Sequence, residues 1–336
     1  MPKEIIRATI DLITTNAKEQ NIGIARMNLF GGEPTLAWKG LIYAVDAFRQ
    51  RCHELNLDGR ITLITNGIVS LKKLGSLLDK LTFVSLSHDG LPEINDLQRP
   101  MTGGGPSTKI INRTAKFILR NKGSRFFAIR TTVLPENVRK MCEIHRYFST
   151  EFPGVLIRYE PVFLSGRASK KEQGGIGVSI REFGNNLLKC FKVSPCNPLR
   201  NSFLTVESMA PGAFCSSCGI NMHVLPEGEA ISCYRNDFKR NPEKSTFFLG
   251  KFRPDRGSFE ISREKLLKLK ELHVDNISSC KHCFARYSCR GGCPAIKNSL
   301  GLDPWNDRFP SCEEIREITI ELLRRQLLLQ SESQSS

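Results

Sequence analysis

The stretch "IARMNLFGGEPTLAWKGLIYAVDAFRQRC", residues 24–52, holds a short apolar run, a Gly-rich turn and an amphipathic segment, in that order. The run at 24–30 has the length and apolar content of a strand, and apolar residues recur at helical spacing through 38–52. The turn "GGEP" at 31–34 supplies two glycines and one carboxylate. This order predicts a strand, a polar loop at its carboxyl end, and a helix.

The same unit repeats along the first 190 residues. Further strands are predicted at 61–65, 82–86, 125–133 and 155–163, and helices at 2–19, 38–52, 71–80, 109–121, 136–149 and 179–191. Alternating units of this kind build a parallel sheet, open or closed, with ligands at the carboxyl ends of the strands. The first helix has no strand before it, so the first strand of the predicted sheet is missing.

Composition narrows the class of protein. The 336 residues carry 49 Lys and Arg against 34 Asp and Glu, a net charge of +15. The positive residues are scattered without interleaved aromatic residues, so nucleic acid is not an expected partner, whereas an acidic protein partner is compatible with the charge. The sequence has neither a long apolar stretch nor a signal-like amino terminus, which predicts a cytoplasmic protein without a membrane partner.

Three predicted strands are followed by polar loops that contain glycine. These loops are "GGEP" at 31–34, "TNG" at 65–67 and "SHDG" at 87–90, and Arg99 follows the third loop at a distance. Together they offer a carboxylate for an amine, a guanidinium for a carboxylate, and hydroxyls for a ribose. The loops therefore predict a site for a zwitterionic nucleoside. His88 is expected to be a wall of this pocket rather than a base.

Eight of the twelve cysteines fall between residues 215 and 312. In a cytoplasmic chain they would stay reduced, which favours metal ligands over disulfides. Zinc is one possibility because "CSSC" at 215–218 and "CKHC" at 280–283 are zinc-type pairs, but eight sulfurs suit two cubane clusters. The other thiols Cys52, Cys142 and Cys190 lie on apolar helix stripes and are expected in the core.

The polar loops, with "EPVFLSGRA" at 160–168, resemble the radical S-adenosylmethionine (AdoMet) superfamily over residues 1–193. The resemblance implies an α/β fold, a partial (β/α)6 TIM-like barrel that here lacks its first strand. It also implies that Glu33 and the backbone of Gly31 and Gly32 meet the amino group of AdoMet. The other implied cofactor-binding residues are Arg99 at the carboxylate, Ser87 at the ribose or carboxylate, Thr65 and Asn66 along the pocket, and Val162 and Phe163 near the adenine.

The later cysteines, spaced C-x9-G-x4-C and then C-x2-C-x5-C-x3-C and a last cysteine, resemble the SPASM domain, a small Cys-rich α+β module. The resemblance implies two auxiliary [4Fe-4S] clusters. One would take Cys218, Cys233 and Cys293 with Cys215 as fourth ligand, although Cys196 or an open iron remain alternatives, and the other would take Cys280, Cys283, Cys289 and Cys312. The expected domains are the barrel at 1–193, a linker at 194–205, the SPASM domain at 206–330 and a disordered tail at 331–336. His223 and His282 are expected to face solvent.

The superfamily starts its chemistry at a C-x3-C-x2-C loop after the first strand, and this sequence has no such motif. The resemblance therefore implies that the chain as written is inactive, and that a third cluster would need a restored amino-terminal segment. A start codon placed too late is preferred over a decayed gene or a protein that works without this cluster.

The relatives that fit are anaerobic sulfatase-maturing enzymes and peptide maturases, which modify a peptide or protein through a 5′-deoxyadenosyl radical. Their partners would be that substrate and an acidic electron carrier of the flavodoxin or ferredoxin type. Catalytic residues are not identified by the resemblance. The alternative is a non-catalytic iron-sulfur or zinc module for electron transfer or assembly.

Overall fold

The computed structural model describes residues 1–164, 176–193, 212–235, 243 and 245–334. The first part alternates helices and strands, as the sequence predicts. Its elements are α1 (Lys3–Glu19), β1 (Ile24–Leu29), α2 (Trp38–Glu54), β2 (Asp58–Thr65), α3 (Leu71–Leu78), β3 (Phe83–Ser87), α4 (Pro92–Gln98), α5 (Thr108–Asn121), β4 (Phe126–Val133), α6 (Met141–Glu151), β5 (Leu156–Pro161) and α7 (Ile180–Val193).

The five strands form one parallel sheet in the order β1-β2-β3-β4-β5, which confirms the predicted α/β fold with a partial barrel. Because every connection is a helix and every strand is parallel, all five strands end at the same edge. Strand β2 begins at Asp58, earlier than predicted, since the Asp58 N–H continues the ladder to the Gly23 carbonyl at 2.9 Å. Helix α4 was not predicted, because seven residues are too few to show helical periodicity.

Helix α1 buries one apolar stripe, which includes Ile5, Ile6 and Ile10. The stripe packs against α2 and also reaches the second part of the molecule. There a Cβ on Gly228 would lie 3.4 Å from Ile5 Cδ1 and 3.0 Å from Phe252 Cβ. The glycine of the C-x9-G-x4-C motif therefore leaves room for close packing at this contact, and its φ of +98° suits glycine.

The second part is a small α+β unit. Its elements are the antiparallel strands β6 (His223–Val224), β7 (Glu229–Ile231), β8 (Phe248–Arg253) and β9 (Ser258–Ile261), followed by α8 (Arg263–Lys270), α9 (Arg286–Cys289), α10 (Pro294–Ser299) and α11 (Cys312–Gln334). We call residues 212–334, as far as they are described, the cysteine module. Buried residues of the barrel and the module form one contiguous apolar core.

Helix α11 packs back on the barrel at α7. A Cβ on Gly184 would overlap the Cδ1 methyl of Ile318, so the two helices touch closely, and Arg325 donates to the Leu188 carbonyl at 2.5 Å. The helix continues to Gln334, into the segment 331–336 that is expected from the sequence to be a disordered tail. Glu and Gln favour helix, which explains the extension.

Two expected connecting segments fall in parts of the chain that are not described. The predicted linker 194–205, with Cys196, lies outside the described residues, as do residues 206–211 at the start of the expected SPASM domain. Among the helices of the described residues, none combines the length and the apolar character needed to cross a membrane.

Candidate functional site

The loops predicted to bind a ligand all lie at the carboxyl edge of the parallel sheet. Gly31, Gly32 and Glu33 follow β1, Thr65 and Asn66 close β2, and Ser87 closes β3. Gly31 and Gly32 are exposed, and a Cβ on either would meet no atom within 4 Å. The loop after β1 therefore leaves open space in which a ligand can approach the backbone.

Glu33 is held in place by the neighbouring loop. Its Oε1 accepts hydrogen bonds from the Thr35 N–H at 3.1 Å, the Thr35 hydroxyl at 2.7 Å and the Thr65 hydroxyl at 2.9 Å, and its Oε2 accepts from the Asn66 N–H at 2.6 Å. Four donors fix the carboxylate rotamer before any ligand arrives. Thr65 is buried, so its hydroxyl serves Glu33 rather than lining the space above the sheet.

Arg99 is oriented by a buried carboxylate. Asp89, only 2% exposed, forms an ion pair with Arg99, with Nε 2.8 Å from Oδ2, and its Oδ1 accepts a hydrogen bond from Nη2 at 3.1 Å. Asp89 Oδ1 also accepts the Thr132 N–H at 2.8 Å. Asp89 thus links the loop after β3 to strand β4 and orients the guanidinium, whose Nη2 also donates to the Thr132 hydroxyl at 3.4 Å.

His88 has a structural role rather than that of a pocket wall. Its Nε2 lies 2.7 Å from Asn112 Oδ1, and its Nδ1 accepts the Gly90 N–H at 3.1 Å. Burial of the ring lowers its pKa to about 4, against the hydrogen bond to Asn112, which acts in the opposite direction. The expectation that His88 lines the pocket is wrong, because the imidazole is fully buried.

The glycines of the second and third loops are required by close packing. Gly67 has φ +80°, and its Cβ would lie 2.6 Å from Leu86 Cδ1. Gly90 has φ +109°, and its Cβ would lie 2.6 Å from Ile144. Both positions combine a left-handed backbone with no room for a side chain, which explains "TNG" and "SHDG" in physical terms.

The cysteine module meets the barrel at the mouth between its two edge strands. Tyr234 packs on Phe30 after β1, with ring centroids 4.8 Å apart, and Arg235 places its guanidinium 3.4 Å from the ring centroid of Phe163 after β5. Val162 and Phe163 are both half-buried at this edge. The segment 233–235 therefore spans the open side of the barrel.

The first cysteine set consists of Cys215, Cys218, Cys233 and Cys293. Cys218 hydrogen-bonds to Cys215, which lowers the pKa of Cys215 to about 6 and raises that of Cys218. Burial, and then the charge of Cys293, raises the pKa of Cys233 to about 12. Cys215 influences the pKa of both Cys233 and Cys293, so the four thiols of this set act on one another electrostatically, and Cys215 as fourth ligand stays a prediction.

The second cysteine set consists of Cys280, Cys283, Cys289 and Cys312. Burial raises the pKa of Cys289 to about 12, with further contributions from Cys312, Cys280 and Cys283 in that order. Burial also raises the pKa of Cys312, and Cys280 and Cys283 act on it. The electrostatic influences among these thiols thus run within the second set, and the assignment of the eight cysteines to two clusters stays a prediction.

Neither set has the arrangement of ligands around one metal ion. Within the described residues, no three His, Cys, Asp or Glu side chains converge in this way. A single zinc needs its sulfurs about 2.3 Å from one point, whereas thiolates on a [4Fe-4S] cluster bind separate irons and stand further apart. What the module offers is two sets of four sulfurs, the donors that such clusters use.

The remaining cysteines and histidines with a sequence-based expectation lie as follows. Cys52 and Cys190 are buried and Cys142 is half-buried, and the Sγ atoms of Cys142 and Cys190 are 3.1 Å apart in the barrel, away from the module. His282 is exposed as expected. His223 is half-buried and packs edge-on against Tyr234, at a centroid distance of 5.3 Å, so the expectation that it faces solvent is wrong.

Sequence reasoning missed four residues that shape these sites. Asp89 and Thr132 orient Arg99, while Arg235 and Lys297 place positive charge at the two cysteine sets. Of these four, only Asp89 could have been found from the sequence, because it lies within the loop "SHDG" that is predicted to belong to the ligand site. The others follow from tertiary contacts between residues far apart in the chain.

A groove of about 970 Å³ lies elsewhere, on the outer face of the barrel along α5. Its lining includes Lys109, Arg113 and Arg120 on one side of that helix. It contains none of the predicted ligand-binding residues, so it is separate from the carboxyl edge of the sheet.

The fold is shared with solved structures of anSMEcpe, an anaerobic sulfatase-maturing enzyme. Native anSMEcpe with bound AdoMet is 19% identical at a TM-score of 0.73, over 97% of this chain and 89% of that chain. A histidine-tagged form of anSMEcpe with bound AdoMet is 20% identical at 0.72, over 99% and 87%. Native anSMEcpe with bound AdoMet and Cp18Cys peptide is 19% identical at 0.70, over 97% and 91%. No protein-family model and no curated protein matches the chain. At this identity the likeness establishes the fold.

Proposed function

We propose that the chain provides the AdoMet-binding barrel and the auxiliary-cluster module of a radical AdoMet enzyme that modifies a peptide or protein, of the sulfatase-maturing kind. The observation that carries the proposal is a barrel whose strand ends hold Glu33 and Arg99, followed by a module in which the cysteines of each proposed set influence one another's pKa. The shared fold with AdoMet-bound anSMEcpe supports it.

Different residues of the barrel would bind different groups of AdoMet. Glu33, fixed by Thr65 and Asn66, would accept hydrogen bonds from the amino group of AdoMet, next to the exposed backbone of Gly31 and Gly32. Arg99, aimed by Asp89, would donate to the carboxylate, with Ser87 beside it at the end of β3. Val162 and Phe163 would meet the adenine, with Arg235 covering one face of Phe163.

For the auxiliary clusters, the first set would hold one cluster through Cys215, Cys218, Cys233 and Cys293, and the second set the other through Cys280, Cys283, Cys289 and Cys312. Bound clusters of this type supply one-electron chemistry. The protein's own contribution is to bury five of these eight cysteines, while Cys215, Cys283 and Cys312 are half-buried. Because Tyr234 and Arg235 contact the barrel mouth, the first set stands nearer to the proposed AdoMet pocket.

The proposed partners are a peptide or protein substrate and an acidic electron carrier. Structures of anSMEcpe contain the Cp18Cys and Kp18Cys peptides, which supports a peptide or protein as the substrate class. The net charge of +15 supports an acidic electron carrier of the flavodoxin or ferredoxin type. Binding to such a carrier should weaken as salt is raised, since exposed charges are screened.

A second function is kept because the sequence has no C-x3-C-x2-C motif. Without the cluster that such a motif holds, the chain would serve as an iron-sulfur or zinc module without radical chemistry. Incubation of the 336-residue chain with AdoMet and dithionite should then give no 5′-deoxyadenosine. Its formation would overturn the expected inactivity of the chain.

The deciding experiment is metal content after anaerobic reconstitution of the full chain. Two cubane clusters give about eight irons per chain. Cys233→Ala and Cys289→Ala should each lose about four of these irons, because each removes a ligand from one set. Cys142→Ala is the matched control, a thiol outside both sets, and should keep the full iron content. One or two tightly held zinc ions with no iron would overturn the cluster proposal.

A further inference from the structure

Lys297 is a fully buried lysine in the cysteine module. It lies on α10, one turn after Cys293, and is 1% exposed. Its Nζ donates to the carbonyl oxygen of Pro304 at 3.1 Å. In the described part of the chain no carboxylate forms an ion pair with it. A buried ammonium with only a carbonyl partner is costly, so some negative charge should accompany it.

The groups that act on Lys297 belong to the second cysteine set. Its ammonium interacts with Cys280, Cys289 and Cys312, in that order of strength, and more weakly with Asp307. The interaction is reciprocal, since Lys297 also acts on Cys289 and Cys312. The strongest electrostatic partners of the lysine are therefore cysteine sulfurs, which carry negative charge only as thiolates.

In the iron-free chain the hydrogen-bond partner of the buried Lys297 ammonium is the neutral carbonyl of Pro304. A [4Fe-4S] core held by four thiolates, in contrast, carries a net charge of about −2, and about −3 after one-electron reduction. A buried cation beside it would stabilise both states, and the reduced state more.

Arg235, the cation at the first set, differs in this respect. It interacts with Cys293 and Cys233 but also with Glu160 at the end of β5, and its guanidinium stacks on Phe163. The positive charge of Arg235 thus interacts with barrel residues as well as with cysteines. Lys297 has sulfur as its main electrostatic partner.

We propose that Lys297 is the built-in counter-ion of the second cysteine set, and that it raises the reduction potential of the cluster held there. This rests on the proposed auxiliary clusters. The lysine favours the cluster-loaded state over the iron-free state, and the reduced cluster over the oxidised one.

The test uses four full-length proteins: the parent chain, K297M, K297Q and the control K251M. K297M removes the charge at similar volume, and K297Q removes it while keeping a donor for the Pro304 carbonyl. K251M removes a lysine of the same module that is 45% exposed and paired with Glu243. Iron content, midpoint potentials from EPR-monitored titration, and thermal stability with and without iron are measured for each.

Both Lys297 variants should lower the reduction potential of one cluster by about 59 mV or more. That shift corresponds to a tenfold change in the one-electron reduction equilibrium. The potential of the other cluster should stay near its parent value. K297M should melt higher than the parent without iron and lower with iron, because the ammonium is a burden only when the set is empty. K251M should change none of these.

The outcomes separate the two proposals. If the parent takes up no iron, the cluster proposal fails and the role of Lys297 falls with it. If the parent loads about eight irons but neither Lys297 variant shifts a potential, only the counter-ion role is wrong. Loss of stability in both the iron-free and the loaded K297M would mean that the lysine is a packing residue. K297Q decides the question if K297M does not fold.

Discussion

The carboxyl edge of the barrel and the cysteine module both concentrate ligand-type side chains, but they satisfy them differently. At the barrel edge, neutral donors form four hydrogen bonds to Glu33, and Asp89 pairs with Arg99, so both carboxylates have partners within the protein. In the module, Lys297 is buried and its strongest electrostatic partners are the thiols of the second set, with a weaker influence from Asp307. On the proposed function, the barrel edge is preorganised for an exchangeable ligand, whereas the module is completed by a resident cluster.

The largest expected effect is that of iron removal, which should destabilise the cysteine module but not the barrel. Metal binding that is coupled to folding supplies much of the stability of small metal-holding units. We expect the backbone amides of the module to exchange on the order of a thousandfold faster in the iron-free chain, while those of β1 to β5 stay protected. Hydrogen exchange with mass spectrometry measures both in one sample. An equal loss of amide protection in the barrel would contradict the contrast between the two regions. Helices α1 and α11, which contact both parts, would be the route for such coupling.

The next effect is a loss of barrel stability in acid through His88. Its folded pKa of about 4 lies below the unfolded value of 6.5, so the unfolded chain binds the proton first as pH falls. No stability is lost above about pH 6.5, and about 2–3 kcal/mol should be lost by about pH 4.5 from this residue. Burial also lowers the pKa of His145, which adds a contribution of the same sign.

The pH effect is measured by urea unfolding of the parent and His88→Gln at pH 7 and pH 4.5. Glutamine can keep a hydrogen bond to Asn112 but does not titrate, so the variant should show a shallower fall between the two pH values. An equally steep fall in both proteins would mean that carboxylates, not His88, govern the acid response.

The sequence predicted the barrel better than the site. Strands, helices and polar loops follow from local periodicity and turn chemistry, so five parallel strands and "GGEP", "TNG" and "SHDG" were found in place. The grouping of the cysteines into two sets comes from the resemblance to a known spacing and stays a prediction. Sequence reasoning placed His88 at the pocket and missed Asp89, Arg235 and Lys297, because their roles depend on burial and on partners distant in the chain.

The smallest effect concerns how rigidly the barrel edge is built. Gly67→Ala meets both a φ of +80° and the Leu86 methyl at 2.6 Å, whereas Gly103→Ala meets a φ of +94° with no atom within 4 Å. The left-handed backbone alone costs about 1 kcal/mol, and Gly67→Ala should cost about 2 kcal/mol because the neighbour must also move.

Urea unfolding of the two alanine variants gives the difference directly, with Gly103→Ala as the matched control. Gly67 directly follows Asn66, whose N–H holds Glu33, so the strain should also reach the proposed AdoMet pocket while the iron content of the module stays at the parent value. Equal costs for the two variants would mean that Leu86 yields freely. The barrel edge would then be no more preorganised than an ordinary surface turn, and the contrast with the module would rest on charge alone.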